Sequence, residues 1–269
     1  MTVSRGDEAG LVALATDAAR EAAKILAPGF RHHPVAEHKG VVDLVTAFDR
    51  ASEAYLRERL VRETGMACVG EEAGGARAVD PNDPTWYVDP LDGTTNFVHG
   101  HPFYCVSIGL VIAGAAHLGV VYAPALDLTW TGVAGVSATR NGAPCQVSGT
   151  AAFDAAMLGT GFPYDRKTSP DNNFDAFVAV KKRAQAVRRC GSAAIDLCFV
   201  ADGTYDGYWE RKLRPWDLAA GAAIVLGAGG RLTSFEGMSP DVLQGHLVAT
   251  NGKIHDALLG ALEGHFPRT

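Results

Sequence analysis

The stretch Asp89-Pro90-Leu91-Asp92-Gly93-Thr94-Thr95 constrains this chain more than any other segment. The aromatic and β-branched run Trp86-Tyr87-Val88 before it places the motif where a strand ends. Pro90 disfavours the helical region for Asp89, and Gly93 permits a turn closed to other residues. Two acidic side chains and the carbonyl of Leu91 can then converge on one point. Hard divalent cations such as Mg²⁺ are held in that way, by oxygen ligands without sulfur. Past the glycine, the two threonines open a short helix whose free N–H groups form an anion site. Metal ligands beside a phosphate cradle point to phosphoryl chemistry. An acidic turn with an Asp cap accounts for the same residues without chemistry, so the rest of the chain has to supply further ligands.

At 269 residues the chain can form one large domain or two intimately packed ones. Its formal charge of −6 gives no electrostatic reason to expect nucleic acid or an acidic membrane as partner. The densest basic run, Lys181-Lys182-Arg183 with Arg188 and Arg189, reads as a solvated helix face. Five cysteines without a Cys-x-x-Cys pair indicate reduced thiols rather than a disulfide framework or a zinc site. No signal-peptide core follows Met1, and no apolar run approaches the roughly 20 residues of a membrane span. The expected location is the cytoplasm.

Leu11, Leu14, Ala15, Ala18, Ala22 and Leu26 recur at helical spacing, with Asp7 as cap and Pro28-Gly29 as stop. Phe30 to Gly40 is rich in His and Pro and reads as a loop or loose hairpin. A second helix starts near Thr46 and ends at Thr64-Gly65, with Thr46 and Asp49 resembling a capping box. Met66–Val69 is a short strand leading to Gly70-Glu71-Glu72, and Ala73–Asp83 reads as a mobile surface loop. Strands over 104–112, 117–122 and 128–131, then a hairpin at Asn141-Gly142, make a mostly antiparallel meander. From Gly149 the pattern becomes alternating: a strand runs to Gly161, a helix passes through Phe174–Val180, and Ala186-Val187-Arg188-Arg189 leads into the next turn. Gly191-Ser192 then opens a helix, Tyr205–Glu210 is a strand, and Pro215-Trp216-Asp217 opens an Ala-rich helix. That half predicts an α/β layer with a partly parallel sheet, packed face to face on the first, with the site between them.

The acidic residues Glu71, Asp89, Asp92 and Asp217 all fall at element ends, with Asp49 nearby. Each has an ordinary explanation as well: Glu71-Glu72 as a solvated turn, Asp217 as an N-cap, Asp49 as part of the capping box. Taken together, three segments resemble the signatures of the inositol monophosphatase family. They are Gly70-Glu71-Glu72, Trp86-Tyr87-Val88-Asp89-Pro90-Leu91-Asp92-Gly93-Thr94-Thr95-Asn96-Phe97, and Pro215-Trp216-Asp217-Leu218-Ala219-Ala220-Gly221. Asp43-Leu44-Val45-Thr46 and Gly191-Ser192-Ala193-Ala194 match as well, so the resemblance covers nearly the whole chain. Departures are small. Gly227 stands where relatives often carry a Glu before Ala-Gly-Gly, and the run 135–140 differs before a surface hairpin.

The resemblance implies a layered αβαβα sandwich of the inositol monophosphatase and fructose-1,6-bisphosphatase type. Its N-terminal sheet is antiparallel and its C-terminal sheet mixed. Residues 1–148 would carry most ligands and 149–269 would carry Asp217 and the substrate-selecting residues, as one compact unit. It also implies a Mg²⁺-dependent, lithium-sensitive phosphomonoesterase that works as a homodimer. Glu71, Asp89 and the Leu91 carbonyl would hold one Mg²⁺; Asp89, Asp92 and Asp217 would hold a second; a third would lean on Glu71. Glu71, and Thr94 backed by Asp49, would orient a water for in-line attack on phosphorus, without a covalent intermediate. Gly93 and Thr94 N–H groups would hold phosphate oxygens. Glu210, with the backbone at Ala193 and with Asp217, would meet the polyol, and Lys39 would lend a loop-borne charge.

The implied substrate is myo-inositol 1-phosphate. Histidinol phosphate, fructose 1,6-bisphosphate and nucleotide 3′-phosphates are the alternatives within the family. A binding or regulatory protein that keeps the fold without turnover is the alternative of another class.

Overall fold

The computed structural model describes residues 5–38, 44–73, 80 and 82–266. Lys39, Asp43 and most of the expected loop at 73–83 lie outside the described residues. The chain opens with helix α1 (Arg5–Leu26), which buries a stripe of Ala15, Ala18, Ala19, Ala22, Ala23 and Leu26. Asp7 lies inside its first turn rather than capping it, because the helix already begins at Arg5. Strands β1 (Ala36–His38) and β2 (Leu44–Thr46) pair antiparallel, which makes the His-rich segment part of a hairpin. Helix α2 (Ala47–Thr64) follows, with Thr46 as N-cap, the reciprocal Thr46–Asp49 capping box, and Gly65 left-handed at its end.

Seven strands form the first sheet in chain order. They are β3 (Ala67–Gly70), β4 (Thr85–Asp92), β5 (Cys105–Ile112), β6 (Ala115–Ala123), β7 (Leu128–Val133), β8 (Ser137–Arg140) and β9 (Ala143–Pro144). All neighbours are antiparallel except β3 and β4. The second sheet has five strands in the order β11-β10-β12-β14-β13, from β10 (Met157–Thr160), β11 (Ala186–Arg188), β12 (Gly207–Glu210), β13 (Arg231–Thr233) and β14 (Leu247–Thr250). The first three of these run parallel and β14 runs antiparallel to both its neighbours, β12 and β13, so the sheet is mixed as expected.

Helices complete five layers. On one face of the first sheet α1 and α2 cover Trp86, Val88, Ile108, Leu110 and Leu118. On its other face lie α5 (Ala193–Ala201) and α6 (Pro215–Gly227), which also meet the second sheet through Tyr208, Leu247 and Ala249. Helices α4 (Phe174–Lys181) and α7 (His255–Leu262) close the far side over Leu158, Trp209 and Val248. Alternate strand residues thus serve opposite cores: Val106, Ile108 and Leu110 face α1, while Cys105 and Val111 face the central helices. The last strands and α7 escaped the sequence reading because β13 and β14 are too short to show a period.

One packing seam sets the site. Gly109, Gly119 and Gly132 sit opposite one another across β5, β6 and β7. Helix α6 lies directly on this row: a Cβ on Gly109 would come within 2.5 Å of the Ala219 Cβ, one on Gly119 within 2.2 Å of the Ala220 carbonyl oxygen, one on Gly132 within 2.6 Å of the Ile224 Cα. Small residues on both sides let backbone approach backbone, which brings the start of α6 to the end of β4. Gly227 has a similar reason, since a side chain there would meet the Ser137 carbonyl oxygen at 2.2 Å.

Because the clash at Gly119 is with backbone, Gly119→Ala is expected to cost at least ~2 kcal/mol, as overpacking of a close-fitted core does. Gly10→Ala in the middle of α1, where nothing lies within 4 Å of the added methyl, should stabilise by about 0.5–1 kcal/mol. Urea denaturation of both variants checks the seam; equal effects would refute it.

Candidate active site

The central motif does not end its strand: β4 runs on through Asp92, with a register shift between Asp89 and Asp92 where Pro90 and Leu91 interrupt pairing to β5. The bulge turns both carboxylates toward the same end of the sheet. Asp89 is 2% exposed, and its Oδ1 accepts the Leu91 N–H at 2.9 Å. Gly93 has φ 92° and caps the short helix α3 (Thr94–Val98). A side chain there would meet the Phe103 carbonyl oxygen at 2.9 Å and that of Gly191 at 3.3 Å, so only glycine passes.

Asp92 joins the two sheets. Its Oδ2 accepts the Ser192 hydroxyl at 2.7 Å and the Ala194 N–H at 2.8 Å, at the start of α5, whose dipole favours an anion. Ser192 also caps that helix by accepting the Ile195 N–H. Asn96 clamps the same junction, donating to the carbonyls of Phe103 (2.6 Å) and Cys190 (2.9 Å).

The Asp49 carboxylate has a partner on each oxygen. Its Oδ2 accepts the Thr46 N–H at 2.9 Å as half of the capping box, and its Oδ1 lies 3.0 Å from the Thr94 hydroxyl. That hydroxyl also lies 3.1 Å from the Leu91 carbonyl oxygen. Asp217 is the third residue of α6, not its cap; Arg214 precedes the helix and its N–H donates to Asp217 Oδ2 at 2.7 Å. The Pro-Trp pair fills the first turn instead, since proline lacks the N–H a later position would need.

Glu71 follows β3 in a bend fixed by a residue the sequence reading passed over. The buried Glu53 carboxylate accepts the N–H groups of Glu72 (2.5 Å) and Ala73 (2.8 Å). It fits only because Gly70 has no side chain, as a Cβ there would reach the Glu53 carboxyl carbon at 2.3 Å. At the far end, Tyr208 donates its hydroxyl to Glu210, and Gly161 leaves room for the Glu210 carboxylate.

These groups border one cavity of roughly 580 Å³ between the sheets. Glu71, Asp89, Leu91, Asp92, Gly93, Thr94, Ala193, Glu210 and Asp217 line it, while Asp49 stands one hydrogen bond behind Thr94. Ser192 of the glycine-serine turn lines it too, as do Asp196, which the sequence reading passed over, and Arg189, which lies beyond β11 on the cavity wall rather than on a solvated helix face, because α4 already ends at Lys181. For Ser192 and Glu53 the signal was a polar residue at a helix start or facing a glycine; for Asp196 none was present.

Burial drives the electrostatics. The Asp89 carboxyl is raised well above the carboxylate range by desolvation, then by the charges of Glu71, Asp92 and Asp217. Asp217 keeps some solvent contact, yet desolvation, then the charges of Glu71 and Asp92, raise it as well. Asp92 is raised by burial, against the pull of Ser192 and Ala194. Among the described residues no three such side chains close into a finished metal cage. They border a shared space instead. The three charges acting most strongly on Asp89 are all negative, and every donor is oxygen. That set fits a hard divalent cation, whose charge would offset the repulsion.

Known proteins share this architecture. Residues 7–265 match the model of the inositol monophosphatase family. The inositol-1-monophosphatase of a Synechocystis strain is 48% identical over 82% of this chain and 77% of its own. The Nus factor SuhB of Pseudomonas aeruginosa is 37% identical over 94% of this chain and 96% of its own. Among solved structures, the inositol monophosphatase of Anabaena superposes with a TM-score of 0.87 at 41% identity, covering 97% of this chain and 98% of its own. With the fold, the site-bearing segments and the span of the match in agreement, this chain belongs to the inositol monophosphatase family.

Proposed function

We propose that the protein hydrolyses a phosphate monoester with Mg²⁺, and that myo-inositol 1-phosphate is the substrate. The observation that carries this is the row of like-charged carboxylates, Asp89 and Asp92 buried among them, facing one cavity whose other end is the Glu210 acceptor. Glu71, Asp89, the Leu91 carbonyl, Asp92 and Asp217 would hold two Mg²⁺, with room for a third beside Glu71. Bound Mg²⁺ supplies positive charge for the phosphoryl oxygens and lowers the pKa of water at the site.

The chain's own groups do the rest. Thr94 directs its hydroxyl proton toward Asp49, which leaves the Thr94 oxygen free to accept a hydrogen from water and orient it. Glu71 would accept the second hydrogen bond of that water. N–H groups of Gly93 and Thr94 would hold phosphate oxygens, and Ala193, Glu210 and Asp217 would receive the leaving alcohol. The water oxygen bonds to phosphorus as the ester P–O bond breaks, and the alkoxide takes up a proton. Halves 1–148 and 149–269 would act as one unit, the first giving most ligands and the second Asp217 and Glu210. Lithium inhibition, a homodimer, a cytoplasmic location and an accessory charge from Lys39 belong to the same reading, on the strength of the family resemblance.

A relative named as a Nus factor favours a second reading, a binding or regulatory protein on this fold. The complete carboxylate set argues for turnover. Phosphate release from inositol 1-phosphate, histidinol phosphate, fructose 1,6-bisphosphate and a nucleotide 3′-phosphate, with Mg²⁺ and with EDTA, separates the two. We expect Mg²⁺-dependent release led by inositol 1-phosphate. Asp92→Asn, which can still accept from Ser192 and Ala194, should stay folded and lose about a hundredfold or more. Active Asp92→Asn would refute the ligand assignment, and a folded wild type inactive on every ester would favour the regulatory reading.

Glu210 sets a pH dependence. Burial pushes its carboxyl up to about 7, against the pull of the Tyr208 hydroxyl. The ionised form is the better hydroxyl acceptor, so KM for inositol 1-phosphate should rise as pH falls through about 7. Glu210→Gln should remove that step; an identical pH profile in the variant would contradict the assignment.

A further inference from the structure

One carboxyl group on the cavity wall has no part in the scheme so far. Asp196 stands in the first turn of α5, 2% exposed, and borders the same space as Glu210. Its Oδ1 is buried without a hydrogen-bond partner. Two other buried side-chain atoms share that condition among the described residues, but each faces a carboxylate: Arg59 Nε stands 3.7 Å from Glu63 and His117 Nε2 3.1 Å from Glu8. Among the described residues Asp196 makes no ion pair, although Arg189 lines the same cavity. Nor does α5 need it, because Ser192 already caps the helix. Buried acceptors are nearly always partnered, and an exception on a cavity wall calls for a donor from outside the chain.

Glu210 makes the need concrete. One of its oxygens is taken by the Tyr208 hydroxyl, and the Gly161 backbone closes on the carboxylate from the side. A molecule bearing several adjacent hydroxyls would outnumber the acceptors Glu210 has left.

We propose that Asp196 is a specificity-determining residue, the second acceptor for hydroxyl groups on the alcohol part of the substrate. The inference rests on the phosphatase reading above and deepens it. The chemistry recognised is hydrogen-bond donation. Ring hydroxyls are the source we commit to, and a cationic amine is the competing source.

The test compares wild type with Asp196→Leu, which keeps the branched shape and removes both acceptors, and with Asp196→Asn. The substrates are myo-inositol 1-phosphate, p-nitrophenyl phosphate, which has neither hydroxyl nor amine, and 2-aminoethyl phosphate. In Asp196→Leu the kcat/KM preference for the inositol ester over the nitrophenyl ester should fall up to about tenfold, the upper end for loss of one net hydrogen bond, and mostly through KM. Asp196→Asn should fall between. Neither variant should lose thermal stability, because no internal bond is removed. A wild-type preference in both variants, or a lowered Tm with equal losses on all esters, would overturn the proposal. A loss confined to the amine ester would overturn the commitment to hydroxyls. Wild type inactive on all esters would remove the phosphatase reading and this inference with it.

Discussion

Like charges gathered on one cavity wall are the constraint around which the molecule is arranged. Glu71, Asp89, Asp92 and Asp217 come from three separated segments, and the charges of Glu71 and Asp92 disfavour ionisation of both Asp89 and Asp217. A chain gathers such groups against their repulsion only if rigid elements hold them. Here β4 carries two of them, the Glu53 carboxylate fixes the bend that carries the third, and α6 brings the fourth. The glycine row under α6 makes the last approach possible, since any larger side chain there would lift the helix off the sheet.

Much of this was legible in the residues. The alternation of β5 and β6, the Asn141-Gly142 hairpin, the Thr46 capping box and the glycine-serine start of α5 carry local signals that the fold obeys. The gathering of the acidic residues was legible only through their combined pattern, because each alone reads as a turn or cap. What escaped depends on tertiary approach. That β4 runs through its proline follows from a bulge against β5, which no local propensity announces. Glu53 lies on a helix whose polar face looks solvated, and only the fold reveals that it meets Gly70. The glycines of β5–β7 look like weak points in strands until α6 is laid across them.

The two ends of the cavity divide the chemistry. At one end the carboxylates and the Thr94–Asp49 pair suit a phosphate and its attacking water. At the other, Glu210 and Asp196 suit donors on the alcohol. Asp92 connects the ends by tying β4 to the start of α5. Asn96 reinforces the same junction with two carbonyl contacts.

The central claim is that the acidic cluster receives a divalent cation. Thermal unfolding followed across a Mg²⁺ series, with Ca²⁺ and a matched ionic-strength control in NaCl, measures it without reference to turnover. A cation that binds only the folded chain raises the midpoint in proportion to the logarithm of its concentration once above its Kd. The account predicts such a rise in wild type beyond the NaCl control, and its loss when Asp89 is replaced by Asn. A midpoint that follows ionic strength alone, the same in wild type and Asp89→Asn, would contradict it.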